Sequence, residues 1–290
     1  MLLDPVTLAP SPGVERLLPE QGLKTELFSC LVETNSPVCE TAFEARDELV
    51  RLRRLVAERA DAEGLAVAAT GSHPFADPEA QPIVPEPRYV KMLAELGPVA
   101  KGQLVCGLHV HVGMESFDAC LRTLAGIRPW LEPVLRLSAN SPYLAGEETG
   151  ELSSRLPRLH LLPRAGPPPP LESVVEWEAE IAAAGVDYTR VWWDARPHPR
   201  LGTLEVRIAD QPTSAERAAA LVALVQALCA EPPKPGPDVL AAAEPAARQL
   251  GTWELLDPLR EPPEALRQLE VGRREGLEAV TADLVRRSRP

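Results

Sequence analysis

Residues 103–114, QLVCGLHVHVGM, constrain the fold more than any other part of the chain. Side chains alternate between the two faces of a strand, so this segment predicts a strand with one apolar face and one face that carries His109 and His111. Gly107 and Gly113 fall on the histidine face and leave room for a ligand there. The apolar face consists of Leu104, Cys106, Leu108, Val110, Val112 and Met114.

A second segment, residues 201–210 (LGTLEVRIAD), shows the same alternation. Leu204, Val206 and Ile208 share one face of the predicted strand, and the polar residues share the other. Two strands that each present one chargeable face predict a sheet whose open side holds a site. The polar residues are Thr203, Glu205 and Arg207.

The composition narrows the classes of partner. A length of 290 residues suffices for one or two domains with a sizeable core. The net charge of -12 and the pI near 5.0 argue against nucleic acid and anionic membranes as partners, because both repel an acidic surface. Any phosphorylated ligand therefore needs cations that are supplied locally.

The N-terminal segment and the cysteines favour a cytoplasmic protein. Residues 1–12 lack the cationic region of a signal peptide, and no apolar run approaches the roughly 18 residues of a membrane span. The five cysteines are odd in number and lack C-x-x-C spacing, which is typical of reduced core thiols. We therefore predict a soluble, cytoplasmic protein that does not associate with membranes.

Local patterns predict further elements. Residues 25–34 (TELFSCLVET) are rich in β-forming and apolar residues and predict a strand. Ser36 and Pro37 supply a cap and a first-turn proline for an amphipathic helix that Gly64 ends. Residues 214–230 predict a helix that is capped by its first residue.

The second half of the chain divides into a functional segment, a linker and a tail. Residues 138–170 show no period and exceed the usual length of an irregular loop, which indicates a lid. We expect residues 1–231 to form one domain. PPKPGP at residues 232–237 predicts a stiff linker, and residues 238–290 predict a helical tail that packs on that domain. The arginines of the predicted lid are Arg155, Arg158 and Arg164.

Two histidines and two glutamates are candidates for a metal or phosphate site. A histidine on a sheet is more often an ordinary polar residue, and this interpretation stays open for His109 and His111. Glu26 and Glu33 are seven residues apart, so they share a site only if a bulge or bend intervenes; otherwise they are exposed strand-end carboxylates. Carboxylates together with a histidine suit Mg²⁺ or Mn²⁺ better than zinc.

A proline-rich corner carries a basic cluster. The cluster either binds a carboxylate or phosphate through paired hydrogen bonds or forms a stiffened surface corner. Metal-binding carboxylates and arginines together are what a nucleoside triphosphate site requires. The chain has no glycine-rich phosphate or dinucleotide motif that offers another nucleotide site. The cluster consists of Arg196, His198, Arg200 and Arg207.

Four ordered motifs carry a family resemblance: CGLHVHVGM, LSANSPYLAGEETG, LPRAGPPPP and WWDARPHPRLGTLEVRIAD. They resemble the carboxylate-amine ligases of the bacterial glutamate-cysteine ligase type 2 family, over residues 2–230. The resemblance implies an α+β fold, namely a glutamine-synthetase-like curved antiparallel sheet with flanking helices. It also implies an ATP-dependent reaction in which glutamate is first activated as an acyl phosphate. An amine, typically that of cysteine, then displaces phosphate and gives a γ-glutamyl amide, as in glutathione-like thiol biosynthesis.

The resemblance also implies roles for individual residues. Four residues are expected to be ligands of Mg²⁺ (or Mn²⁺), namely Glu26, Glu33, His109 and Glu205. Contacts to ATP are expected from His111, Arg164, Arg196 and Arg200. Arg155 and Arg207 match positions near the transferred phosphoryl group or the amino-acid substrate, so we expect them to be catalytic.

Two departures from the family pattern leave alternatives open. Members of the family carry a G-x-E-x-E strand directly before the L-x-D-P-x-T segment, whereas residues 3–7 here come directly after Met1. The basic N-x-W-R-A-A-R segment is replaced by PPKPGP. A missing edge strand would remove metal ligands and favour a homo-oligomer. The alternatives are a non-catalytic or partner-dependent relative that binds nucleotide or amino acid, and a metal-dependent hydrolase.

Overall fold

The computed structural model describes residues 1–289 and shows the predicted α+β fold. The α-helices are α1 (Ala42–Ala62), α2 (Pro87–Leu96), α3 (Pro98–Lys101), α4 (Phe117–Ile127), α5 (Leu131–Ser138), α6 (Arg155–Leu159), α7 (Val174–Ala184), α8 (Ala215–Ala230), α9 (Val239–Gln249), α10 (Glu264–Glu275) and α11 (Leu277–Ser288). Short 3₁₀ helices span Val14–Leu17, Pro78–Ala80, Arg128–Trp130, Tyr188–Arg190 and Trp253–Arg260.

The strands are short and belong to several small sheets. They are β1 (Leu2–Leu3), β2 (Leu23–Thr25), β3 (Val32–Thr34), β4 (Ala66–Val67), β5 (Val110–Gly113), β6 (Tyr143–Leu144), β7 (Glu147–Glu148), β8 (Ala165–Gly166), β9 (Trp192–Trp193), β10 (Ala195–His198) and β11 (Thr203–Val206). Strands β8 and β9 pair in parallel, and β1 with β4, β2 with β3 and β6 with β7 pair antiparallel.

The site is built on an antiparallel sheet of order β10-β11-β5. The apolar face of this sheet packs on helix α8, because Val110 and Leu204 belong to the same buried cluster as Leu221 and Leu224. Ser214 caps α8 by accepting a hydrogen bond from the backbone N–H of Arg217, as the sequence predicts. The predicted alternation is confirmed over Val110–Gly113 and Thr203–Val206, where it leaves the polar side chains on the face opposite α8. Leu104 and Cys106, which were predicted on the same apolar face, lie before the strand and pack in the cluster of Leu2 and Leu3 instead.

The strand predicted at residues 25–34 is wrong in one respect. The segment contains the last residue of β2, the connecting residues 26–31 and the whole of β3, and the two strands pair as a hairpin so that Lys24 lies opposite Glu33. The chain reverses between the two strands, and the buried side chains of Leu27 and Phe28 anchor the reversal in the core. This reversal is the bend that brings Glu26 and Glu33 to one region.

Helix α1 begins later than its sequence signals predict. Thr41 is the cap, since its hydroxyl accepts a hydrogen bond from the backbone N–H of Glu44. Ser36 and Pro37 precede the helix in extended chain. A first-turn proline and a hydroxyl cap are only local preferences. Here the helix begins after Thr41, a second capping residue that lies five positions after Ser36.

The C-terminal helices return to the N-terminal half of the chain. Val280 and Leu284 of α11 are buried in the cluster that contains Leu2 and Leu3. The residue before α8 is also tied to the tail, because the carboxylate of Glu264 accepts hydrogen bonds from two backbone N–H groups at residues 213 and 214. Within residues 1–289 no helix combines the length and the apolar character that a membrane crossing requires.

Candidate active site

The polar face of the central sheet brings charged residues into cross-strand register. Glu205 on the middle strand lies opposite Arg196 on one side and opposite His111 on the other. The backbone N–H of Arg207 donates to the carbonyl of Asp194 at 2.8 Å, which extends the β10-β11 ladder by one pair. Residues that are paired across antiparallel strands project to the same face, so Arg196, Glu205 and His111 form one row.

Glu205 is the centre of this row. Its carboxylate accepts from Arg196 Nε at 2.7 Å and from Arg207 Nη1, and the residue is only 3% exposed. Burial alone would raise the pKa of Glu205, but the guanidinium groups of Arg207 and Arg196 outweigh it and lower the pKa to about 2. The glutamate is therefore ionised at neutral pH, and the expectation of an open polar face is wrong at its centre.

The two histidines flank Glu205 without a direct hydrogen bond to it. His109 Nδ1 lies 3.6 Å and His111 Nε2 lies 3.7 Å from Oε1 of Glu205. The other ring nitrogen of His111 lies 2.9 Å from the hydroxyl of Thr203. Burial lowers the pKa of both histidines, and it does so most strongly for His109, where the charge of Arg207 acts in the same direction. Both rings are therefore neutral at pH 7.

A bulge in the sheet shapes the next part of the site. Val206 pairs with Val110, and Asp210 pairs with Gly107, so four residue steps on one strand oppose three on the other. The extra residue disrupts the ladder and frees backbone carbonyls. Sequence alternation alone does not reveal this bulge.

Arg155 satisfies the carbonyls at the bulge. Its Nη1 donates to the carbonyl of Ile208 at 3.1 Å, and its Nη2 donates to the carbonyl of Arg207 at 3.0 Å. The residue is buried, and its guanidinium lies against Gly107, where an added Cβ would come within 2.1 Å of Nη2. The structure thus places Arg155 beneath the strand that carries Arg207, and its predicted catalytic role stays a prediction.

The hairpin carboxylates form a second acidic group. Glu26 accepts from the backbone N–H of Leu27 at 2.7 Å, and Glu33 accepts from the amide of Asn35 at 2.6 Å. Burial raises the pKa of Glu26, and the charge of Glu33 adds to the increase. The positive charge of Arg207 opposes both effects, which places the hairpin within electrostatic reach of the sheet residues.

The four predicted metal ligands do not assemble into a metal site. Among residues 1–289, no three His, Cys, Asp or Glu side chains lie in an arrangement that could hold an ion. Their chemistry suits a hard cation, but both carboxylate oxygens of Glu205 are occupied by arginines. The described residues therefore do not fit the predicted Mg²⁺, and we assign no step to it.

The four residues that are predicted to contact ATP do not lie together in the structure. Arg196 lies in the Glu205 row and also donates to backbone carbonyls at residues 188, 189 and 191. Arg164 contacts the carbonyl of Arg190 and the ring of Trp192 instead. Arg200 is a surface residue that pairs with Asp187. The structure thus brings together Arg196 and His111 but not Arg164 and Arg200.

Sequence reasoning missed two residues at the β10 edge of the polar face. Asp194, two residues before Arg196, shares its face by alternation and is buried. His160 Nε2 lies 2.7 Å from Oδ1 of Asp194. The alternation signal could have found Asp194, whereas His160 lies in the segment without a period, where the sequence carries no such signal.

The sequence model of the glutamate-cysteine ligase family 2 matches residues 2–289. The chain belongs to this family. In this member of glutamate-cysteine ligase family 2, the polar face of the central sheet carries Arg196, Glu205 and His111 in one row.

Individual members of the family confirm the resemblance stated from the motifs. "Putative glutamate--cysteine ligase 2" of Herpetosiphon aurantiacus is 36% identical over 238 residues, which are 78% of this chain and 62% of the relative. "Putative glutamate--cysteine ligase 2-3" of Rubrobacter xylanophilus is 37% identical over 241 residues, which are 79% of this chain and 66% of the relative. The match thus spans less than two thirds of the length of these relatives.

Proposed function

We propose that this protein is an ATP-dependent carboxylate-amine ligase that forms a γ-glutamyl amide from glutamate and an amine such as cysteine. Family membership supports the ligase class. The observation that carries the proposal is the buried Glu205, which holds two buried arginines in fixed positions beside two neutral, partly exposed histidines.

The arrangement suits the transfer of an anionic group. Direct condensation of a carboxylate with an ammonium ion is unfavourable in water, so the carboxylate must first be activated as an acyl phosphate. Guanidinium groups that are already oriented stabilise charge on a moving phosphoryl group without reorganising. Arg207 retains donor capacity for this, because its Nε has no hydrogen-bond partner within residues 1–289.

The two neutral histidines, whose side chains are 39% and 35% exposed, serve the same chemistry. His109 and His111 can donate hydrogen bonds to phosphate or carboxylate oxygens without placing further charge beside Arg207. The acyl phosphate must also be kept from water, and we propose this role for residues 138–170, of which Arg155 and His160 contact residues 207, 208 and 194 beside the site.

The finer features of the fold belong to the same proposal. We propose a glutamine-synthetase-like curved sheet, which is supported by a central antiparallel sheet with helices on one face and the polar row on the other. We also propose a domain of residues 1–231, a linker of 232–237 and a tail of 238–290. The five cysteines are all free thiols, which supports a cytoplasmic location.

The test is mass spectrometry of the purified chain incubated with ATP, Mg²⁺, glutamate and a pool of amines that includes cysteine. ADP and any new γ-glutamyl mass are followed together, and we expect them to form in equal amounts. Glu205→Gln should abolish both, whereas Glu147→Gln, a change at an exposed glutamate, should leave both unchanged.

Other results identify the alternatives. Nucleotide or glutamate binding without ADP release would indicate a non-catalytic or partner-dependent relative. Hydrolysis of an amide without consumption of ATP would indicate a hydrolase. ADP and product formation by Glu205→Gln at the wild-type rate would contradict the role of the arginine row.

A further inference from the structure

His160 and Asp194 form a histidine-carboxylate pair at the edge of the polar face. His160 Nε2 lies 2.7 Å from Oδ1 of Asp194, and the side chain of Asp194 is 4% exposed, whereas that of His160 is 30% exposed. An ionised carboxylate only accepts hydrogen bonds, so it selects the tautomer in which Nε2 carries the proton. The lone pair then lies on Nδ1, which has no hydrogen-bond partner among residues 1–289.

No other histidine of the described chain has this geometry. The ring nitrogens of His73 are both used, one by the carbonyl of Leu8 and the other by backbone N–H groups at residues 75 and 76. His109 and His111 lie beyond hydrogen-bond distance from Glu205, which already binds two arginines. His198 contacts the hydroxyl of Tyr188 and no carboxylate.

The backbone around the pair is held rigidly beside Arg207. The N–H of Asp194 donates to the carbonyl of Gly166 at 2.9 Å, and the carbonyl of Asp194 accepts from the N–H of Arg207 at 2.8 Å. Strand β8 pairs in parallel with β9 immediately before Asp194. His160 follows helix α6, whose first residue, Arg155, binds the carbonyl of Arg207. Two separate connections thus fix His160 relative to Arg207.

We propose that His160 is the general base that deprotonates the incoming amine, with Asp194 as its positioning residue. The proposal rests on the proposed ligase function. A base that is oriented by a third group is the arrangement by which proteins activate weak nucleophiles.

The ammonium group of the second substrate gives one proton to Nδ1 of His160, and the freed lone pair forms the N–C bond to the acyl carbon. The C–O bond to phosphate breaks, and phosphate leaves with the electron pair. The second proton of the nitrogen goes to the phosphate, and His160 returns its proton to solvent.

The experiment compares two nucleophiles. Cysteine arrives as an ammonium ion and needs a base, whereas hydroxylamine is unprotonated at neutral pH and needs none. With ATP, Mg²⁺ and glutamate, the wild-type chain should form γ-glutamylcysteine with cysteine and γ-glutamyl hydroxamate with hydroxylamine. His160→Gln should lose about 10² to 10⁴-fold in the cysteine rate and less than about 3-fold in the hydroxamate rate.

Asp194→Asn tests the positioning role. It should lower the cysteine rate by about 10² to 10⁴-fold, because the amide no longer selects the tautomer. Asp257→Asn, a change at an exposed aspartate in the tail, is the matched control and should leave both rates unchanged. Added imidazole should restore part of the cysteine rate in His160→Ala, and circular dichroism verifies that each variant is folded.

The outcomes separate the two proposals. Equal losses with both nucleophiles in His160→Gln and Asp194→Asn would show that the pair is only structural and would overturn the base assignment. Absence of both γ-glutamylcysteine and hydroxamate with the folded wild-type chain would overturn the ligase function, and the base assignment with it. Retention of the full cysteine rate in His160→Gln would overturn the base assignment alone.

Discussion

Gly107→Ala should destabilise the protein by displacing a buried arginine. An added Cβ would lie 2.1 Å from Nη2, 2.4 Å from Cζ and 2.7 Å from Nε of Arg155, which is closer than van der Waals contact allows. The guanidinium would have to leave the carbonyls of Arg207 and Ile208. A hydrogen bond from a charged group contributes about 1.5–3 kcal/mol, so losing two costs about 3–6 kcal/mol.

The assay is equilibrium unfolding in urea at pH 7, with Gly113→Ala as the matched control. Gly113 lies in β5, a few residues after Gly107, but an added Cβ there meets nothing within 4 Å. The control should change the free energy of unfolding by less than about 1 kcal/mol. The expected loss in Gly107→Ala is a large part of the 5–15 kcal/mol that is typical of a folded domain.

A double-mutant cycle identifies the cause. If the clash with Arg155 is responsible, Gly107→Ala should cost much less in an Arg155→Ala background, because the small side chain leaves room for the new methyl group. Equal stability of Gly107→Ala and Gly113→Ala would show that Arg155 does not occupy the space beside Gly107. Full additivity in the cycle would lead to the same conclusion.

Three further predictions concern the charge cluster and the tail. The pKa of Glu205 is lowered to about 2 from an ordinary value of 4.5, so its ion pairs stabilise the fold fully above pH 4.5 and are lost as the pH falls toward 2. The difference in the free energy of unfolding between wild type and Glu205→Gln, measured with urea, should therefore shrink as the pH falls from 4.5 to 2. A constant difference would contradict the ion-pair account. Glu264→Ala removes the acceptor of two backbone N–H groups at the start of α8 and should cost about 3–6 kcal/mol in the same assay, whereas a cost below about 0.5 kcal/mol would show that water replaces it. Leu284→Ala, at a buried position of α11, should lower the free energy of unfolding by about 2–5 kcal/mol, whereas Leu266→Ala, at an exposed position, should change it little. Thermal unfolding measures both variants. Equal melting temperatures would show that α11 does not share the N-terminal core.

The faces of the central strands could be predicted from the sequence because a strand has a fixed period of two. That period places Val110 and Leu204 in the core and His111 and Glu205 on the opposite face, and the structure has them there. The start of α8 was equally predictable, since a hydroxyl cap at Ser214 is a local signal. The family was recognised from four short motifs, and the match over residues 2–289 confirms it.

Other features escaped the sequence because they depend on long-range packing. The turn between β2 and β3 contains no Gly, Pro, Asn or Asp, so nothing local marks the reversal that brings Glu26 toward Glu33. Alternation also predicted an open polar face, whereas Glu205 is buried between two arginines from neighbouring strand positions.

The faces of β5 and β11, the start of α8 and the family can all be inferred from the amino-acid sequence, because they depend on local periods and short motifs. The bulge between Val206 and Asp210, the burial of Arg155 beneath it and the pairing of His160 with Asp194 become visible only in the folded chain. Strand register and side-chain contacts between distant segments are set by packing of the whole core, which no local pattern encodes.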